Sequence, residues 1–206
     1  MRNKPWANEF LAQHPKATTD PTAYKGKWKG SYEKVILEIG SGKGAYLFDL
    51  ATLHPQQRYL ALEKDRNVSA SALRHHDVLG LDNLLWINNG AEHLQEWFEQ
   101  GELDEIHLNF SDPWPKKHHE KRRLTSKTFM PLFIDLLNKE GLIKFKTDNQ
   151  KLFEYTLLQL QYYPLEMTFL SVNYLHTVEE EDAYTEYEMK FNALNQPIYR
   201  AIWRKK

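Results

Sequence analysis

The sequence predicts an α/β protein built on a mostly parallel sheet of seven strands with helices between them. Three observations carry this expectation. Short apolar runs recur along the chain, stretches with apolar residues at 3–4 spacing alternate with them, and a glycine-rich turn follows the first run. Strands that alternate with helices pair in parallel through right-handed crossovers.

Residues 34–39, KVILEI, form the first strand, which ends at Gly40. A helix over 45–53 carries Leu47, Leu50 and Leu53. Strand 58–63 (RYLALE), helix 66–79, strand 84–88 (LLWIN) and helix 91–100 follow, the last with Leu94, Trp97 and Phe98 on one side. In 104–110, DEIHLNF, alternating Ile106, Leu108 and Phe110 mark a fourth strand. A polar loop over 111–124 leads to a helix over 126–138, with Phe129, Leu132, Phe133, Leu136 and Leu137 at helical spacing. Strand 142–147 (LIKFKT), helix 150–162 and a strand near 166–172 come next. Thr185 opens T-E-Y-E, a capping-box pattern in which Glu188 reaches back to the Thr185 amide. Tyr187, Phe191 and Leu194 line one face of the helix that follows, Pro197 stops it, and 198–203 (IYRAIW) is the last strand. The late strands can pair antiparallel at one edge. With no repeat and no linker, residues 1–206 read as a single domain, with 1–30 as a basic N-terminal arm.

Composition narrows the class. The 206 residues are 41% hydrophobic and 27% charged, ordinary for a globular chain. The absence of cysteine excludes a disulfide framework, a zinc knuckle and a thiol nucleophile, and suits a reducing cytoplasm. No apolar run reaches the ~18 residues of a membrane span, and MRNKPWANEF lacks the apolar stretch of a signal peptide. Net charge is −1, but the charges are clustered. Residues 1–30 hold six basic side chains against Glu9 and Asp20; 116–123 read KKHHEKRR; Arg200, Arg204, Lys205 and Lys206 lie at the end. An acidic run, Glu179 to Asp182, opposes them. One such run is usually a solvated face; three basic clusters in a neutral chain point to a polyanion-binding side.

The first strand–turn–helix reads Glu38-Ile39-Gly40-Ser41-Gly42-Lys43-Gly44. Glycines let the backbone approach a ligand at the carboxyl end of the strand, where open α/β sheets bind. Glu63, at the end of the second strand, can accept from ribose hydroxyls. Both features serve NAD and S-adenosylmethionine alike. Glu38 separates them: a carboxylate beside this turn repels a pyrophosphate and attracts a cofactor that carries an ammonium and a sulfonium.

The fourth strand ends in Asn109-Phe110-Ser111-Asp112-Pro113-Trp114-Pro115-Lys116. Two prolines around a tryptophan stiffen the loop, and an aromatic side chain beside an acid suits a planar base. The basic run follows at once, so phosphate contacts lie beside the base pocket. Asp148 follows the fifth strand, so Glu38, Glu63, Asp112 and Asp148 gather at one end of the sheet. No phosphate site accompanies them, and the nine histidines show no ligand spacing, so no metal is expected.

These residues resemble the bacterial tRNA (guanine-N7-)-methyltransferases over nearly the whole chain. The likeness lies in R-N-K-P-W (Arg2 to Trp6), Y-K-G-K-W (Tyr24 to Trp28), L-E-I-G-S-G-K-G (Leu37 to Gly44), N-F-S-D-P-W-P-K-K (Asn109 to Lys117), H-E-K-R-R-L (His119 to Leu124), F-K-T-D-N (Phe145 to Asn149) and T-E-Y-E (Thr185 to Glu188). The resemblance implies a class I methyltransferase, Rossmann-like fold that methylates N7 of guanine 46 in the tRNA variable loop with S-adenosyl-L-methionine, in the cytoplasm, as a monomer or homodimer. It also implies that Glu38, Gly40, Gly42, Glu63 and Asp112 hold the cofactor and that Asp112 is catalytic. Lys116, Asp148, Thr185, Glu186, Tyr187 and Glu188 match substrate-binding positions. Lys117, His118, His119, Glu120, Lys121, Arg122 and Arg123 match an RNA-contacting segment. Where the family usually shows V-D-G-A, this chain has Asn88-Asn89-Gly90-Ala91, so Asn89 is expected to accept from the adenine amino group with its amide oxygen.

Three rivals remain at this point. An adenine amino-methyltransferase shares a D-P-P-Y loop that Asp112-Pro113-Trp114-Pro115 resembles; an RNA-binding module needs neither Glu38 nor Glu63; a NAD-dependent reductase is disfavoured by Glu38.

Overall fold

The computed structural model describes residues 4–76, 78–174 and 182–206. Arg2 and Asn3 of the opening motif and Glu179 to Glu181 of the acidic run lie outside the described residues. The elements are α1 (Ala7–Gln13), β1 (Ala17–Thr18), β2 (Val35–Ile39), α2 (Ala45–Leu53), β3 (Arg58–Leu62), α3 (Arg66–His75), β4 (Leu84–Ile87), α4 (Leu94–Trp97), β5 (Leu103–Asn109), α5 (Met130–Leu136), β6 (Leu137–Thr147), α6 (Gln150–Leu160), β7 (Leu165–Ser171), α7 (Glu186–Ala193) and β8 (Tyr199–Lys205).

One sheet runs in the order β1-β4-β3-β2-β5-β6-β8-β7. All neighbours are parallel except β8, which runs antiparallel to both β6 and β7. Seven strands stand where the hydrophobic runs predict them. The eighth, β1, is two residues beside β4, too short to leave a periodic signal. Helices cover both faces, as alternation requires. Val35, Leu37 and Ile39 of β2 join a core with α4, α5 and α6, while Ile36 packs with α1, α2 and α3 on the other side.

Three predicted helices are shorter than their patterns. The stretch 66–79 is helical only to His75. The stretch 91–100 is a 3₁₀ turn, Ala91–His93, followed by the single turn of α4. The stretch 126–138 is helical only over Met130–Leu136: Pro131 has no amide to donate and fits only the first turn, and Leu137 and Asn138 instead open β6, which starts five residues before the predicted strand. Residues 4–30 are built into the fold. The Lys4 amide donates to Asn67 Oδ1 at 2.9 Å, and the buried Trp28 indole donates to the Trp97 carbonyl at 2.9 Å. Lys16 pairs with Asp82 and Lys25 donates to the Gln95 carbonyl, so part of the N-terminal charge serves packing.

One region of the sheet departs from apolar packing. Glu105 and His107 on β5, Lys144 and Lys146 on β6 and Arg200 on β8 share a face and form a charged ladder, and all but Lys144 are buried. Tyr46 and Asp182 complete it: the Tyr46 hydroxyl lies 2.8 Å from Asp182 and 3.0 Å from His107 Nδ1. Burial pushes the Asp182 carboxyl up, but Lys146 and Arg200 overcome this and hold it well below the usual carboxylate range.

Candidate active site

The chain passes from β2 outward to β3 and β4, then returns to place β5 on the other side of β2. Such a reversal opens a crevice at the carboxyl ends of the strands. Here it is a cleft of about 310 Å³, walled by Gly40, Glu63, Asn89, Glu92, Asp112 and Trp114 among others. A narrower recess of about 80 Å³ continues from it past Gly40 and Gly42 to Glu38.

Local structure sets each wall. Gly44 has φ 78°, and a Cβ there would stand 2.0 Å from the Trp86 ring, so only glycine lets α2 start against β4. Gly42 has φ 57° and open space at the Cβ position, and its amide donates to Glu63 Oε2 at 3.1 Å. Glu63 Oε1 accepts the Asp65 amide at 2.8 Å, which fixes the carboxylate at the cleft wall. Burial raises the Glu63 carboxyl, and these two amide bonds oppose the shift. Glu38 is 3% exposed at the recess; one oxygen accepts from Asn109 Nδ2 at 2.8 Å and the other has no hydrogen-bond partner among the described residues. Burial pushes its carboxyl up to about 8. A buried carboxyl group held this high suits a bound cation, which would favour its ionised form, and disfavours a phosphate beside it.

The β5 loop is strained where it meets the cleft: Phe110 has φ 49° and Trp114 φ 42°. Asp112 is exposed, lines the cleft and makes no hydrogen bond or ion pair among the described residues. Arg123 fixes this loop from behind, donating to the Pro113 and Trp114 carbonyls at 3.1 Å each and lying 4.3 Å from the Tyr155 ring centre.

Residues 32–201 match a family described as "Putative methyltransferase". A Bacillus velezensis protein named tRNA (guanine-N(7)-)-methyltransferase is 43% identical over 100% of this chain and 98% of its own length. The chain belongs to the tRNA (guanine-N7-)-methyltransferase family. The like-named proteins of Bacillus subtilis (42%, 99% of each chain) and Pediococcus pentosaceus (43%, 97% of each) match as fully. Among solved structures, the 16S rRNA methyltransferase KamB superposes with a TM-score of 0.64 at 16% identity, over 88% of this chain and 92% of that one. This likeness shows the class I methyltransferase fold. As a member of this family the protein is an S-adenosylmethionine-dependent methyltransferase, and the residues present fit that cofactor: a carboxylate for the ammonium, a carboxylate for the ribose and a glycine turn open to both.

The structure gathers Glu38, Gly40, Gly42, Glu63 and Asp112 around the cleft and recess. Asn89 lines the cleft too, but its amide has other work: Oδ1 accepts the Gly90 amide at 2.8 Å and Nδ2 donates to the Thr19 carbonyl at 3.0 Å. The acceptor expected for adenine thus already holds one hydrogen bond within its own loop. Thr185, Glu186 and Tyr187 border the recess, with Tyr187 stacked on Phe110 at 5.6 Å and Glu186 paired with Lys43 at 3.2 Å. The predicted capping box forms. The Glu188 side chain is fully buried, bonded to Lys146 at 3.1 Å and to the Thr185 amide at 3.3 Å, where it anchors α7. Lys116 and Asp148 are exposed and do not line the cleft.

The basic loop divides. Lys117, His118, Lys121 and Arg122 are exposed, and Arg122 lies 4.8 Å over the Trp114 ring. Arg123 holds the Asp112 loop, Glu120 accepts from the Tyr155 hydroxyl at 3.1 Å, and His119 packs edge-on to Trp114. Among the described residues no three His, Cys, Asp or Glu side chains converge as a metal site. No helix there is long and apolar enough to cross a membrane. Two contributors escaped sequence reasoning: Asn109, which looked like a strand residue, and Glu92, whose reach into the cleft depends on the 3₁₀ turn.

Proposed function

We propose that the protein methylates N7 of guanine 46 in the variable loop of tRNA, acting in the cytoplasm as one methyltransferase domain. The observation that carries this reading is that Asp112, without a hydrogen-bond or ion-pair partner among the described residues, lines one cleft with Trp114 and the exposed Arg122 of the basic loop. Full-length relatives at 42–43% identity bear the guanine-N7 name. Bound S-adenosylmethionine supplies an electrophilic methyl group on sulfur. Guanine N7 has an in-plane lone pair and no proton, so the N–C bond forms as the S–C bond breaks, and no base must act first.

The chain's own residues therefore position and stabilise. Glu38 fixes the amino-acid end of the cofactor and Glu63 its ribose. The Trp114 loop, held by Arg123, presents a flat edge to the base, and Asp112 stabilises the positive charge that arrives on the purine. Lys117, Lys121 and Arg122 contact phosphates, Lys116, Asp148 and Glu186 hold the nucleotide, and the base leaves its stack to reach the cleft.

The test is incubation with labelled S-adenosylmethionine and bulk tRNA, followed by nucleoside analysis. Labelled N7-methylguanosine is expected, and its loss with a tRNA carrying adenine at position 46 identifies the site. Label in N6-methyladenosine would assign the protein to amino methylation instead.

A further inference from the structure

We propose that Glu92 recognises the adenine amino group of S-adenosylmethionine, beside an Asn89 whose side-chain oxygen already accepts the Gly90 amide. The inference rests on the cofactor reading above and concerns which side chain reads the base. β3 and β4 lie side by side and parallel, so Glu63 and the turn at 88–92 meet at one end of the sheet. The Glu63 amide donates to the Ile87 carbonyl at 3.1 Å, and Asn88 Nδ2 donates to the Glu63 carbonyl at 2.7 Å. A nucleoside whose ribose lies on Glu63 therefore rests its base against this turn.

Adenine presents an exocyclic amine, and the wall that reads it needs an acceptor. Glu92 lines the cleft. The 3₁₀ turn Ala91–His93 folds it back over Gly90, and its carboxylate fills the space that a side chain at position 90 would take. A Cβ on Gly90 would stand 2.3 Å from Glu92 Oε2 and 2.5 Å from Oε1. Within the described residues the carboxylate has no hydrogen-bond or ion-pair partner. A carboxylate only accepts, so it suits the C6 amine of adenine and repels the C6 carbonyl of hypoxanthine. Gly90 and Glu92 act as a pair, the missing side chain at one making room for the other.

The experiment is calorimetric binding, without tRNA, of S-adenosylhomocysteine and of S-inosylhomocysteine, its 6-oxo counterpart. Wild type should prefer the adenosyl ligand. Glu92→Ala should weaken that ligand roughly ten-fold, the scale of one hydrogen bond to a charged group, and leave the inosyl ligand nearly unchanged. Glu92→Gln, whose amide can also donate, should narrow the preference. Gly90 has φ −92°, a conformation alanine adopts freely, so Gly90→Ala tests the space alone. It should lose affinity in the wild-type background and lose nothing further in Glu92→Ala. A preference that survives in Glu92→Ala overturns the assignment while leaving the cofactor reading intact. A wild type that binds neither ligand overturns both.

Discussion

The side-chain amide of Asn109 donates to Glu38 at 2.8 Å, joining the ends of β5 and β2 at the point where the chain changes sides of the sheet. Among the described residues it is the one hydrogen bond on a carboxyl group that burial has pushed up to about 8, and the charge of Lys146 only partly offsets that burial. The free protein thus keeps an acid in an unfavourable place, and two consequences can be measured.

The first is a stability cost that depends on pH. Folded, Glu38 holds its proton up to about pH 8; unfolded, it releases it near 4.5. Between those values the folded state binds the extra proton, so the contribution of this group to stability falls as pH rises. Glu38→Gln, which cannot ionise, should match wild type at pH 5 and be more stable by about 2–4 kcal/mol at pH 8 in urea unfolding. Equal stability at both pH values would show that Glu38 is ionised without strain.

The second is proton release on binding. An ammonium placed on Glu38 favours its ionised form, so cofactor binding at pH 6.5 should expel a proton from this carboxyl. Calorimetry of S-adenosylhomocysteine in buffers of different ionisation enthalpy should show release of about one proton, and almost none in Glu38→Gln. Release that persists in the variant would assign the proton to another group.

α7 invites a test of a different kind. Its capping residue Glu188 is pinned by Lys146, which also holds Asp182 at 2.9 Å. Lys146→Met leaves both carboxylates buried without that cation and should cost about 3–5 kcal/mol. Thr185→Ala, which removes only the cap, should cost about 1 kcal/mol. If Lys146→Met were no worse than Thr185→Ala, the ion pairs would not be what fastens α7 to the sheet.

Much of this was legible beforehand, for identifiable reasons. Strands in an α/β sheet announce themselves by apolar runs, and Glu38 and Glu63 stood out because each follows such a run at the end where ligands bind. The capping box was legible because Thr185 and Glu188 are local partners. What sequence could not give was direction and long-range pairing. Glu188 and Tyr187 are neighbours in one motif, yet one points into the charged ladder and the other stands at the cleft. Arg123 sits in a run of five Lys and Arg residues, and only its reach to the Pro113 and Trp114 carbonyls separates it from Lys121 and Arg122.

That separation makes a forecast for the basic loop. Lys121→Ala with Arg122→Ala should weaken tRNA binding and lower its log–log salt slope by about one for each phosphate no longer neutralised, with cofactor affinity unchanged. Arg123→Ala should act on the Trp114 loop instead, slowing methyl transfer in single turnovers while the salt slope moves little. Filter binding across a salt series, beside rapid-quench rates, measures both. A slope change in Arg123→Ala equal to that of the double variant would return Arg123 to the RNA-contacting set.

Asp112 decides the mechanism, because electrostatic and general-base roles make different forecasts. Asp112→Asn keeps the shape and hydrogen-bonding reach of the side chain and removes its charge. The carboxylate is exposed and unpartnered among the described residues, so the substitution leaves no buried charge behind and the variant should fold and bind both substrates. If the carboxylate stabilises the charge arriving on the purine, single-turnover methyl transfer should fall about 10²–10³-fold, as for the removal of one preorganised electrostatic interaction. The loss should be constant across pH 6 to 9, because a nucleophile without a proton needs no base at any pH in that range. A general base would instead need a proton to remove, and N7 carries none. A wild-type rate that falls on an acidic limb within that range, a limb missing from Asp112→Asn, would overturn the electrostatic role in favour of the base. An unchanged rate would leave Asp112 only the shaping of the loop at Pro113, and the charge on the purine would have to be met by another acid, Asp148 first.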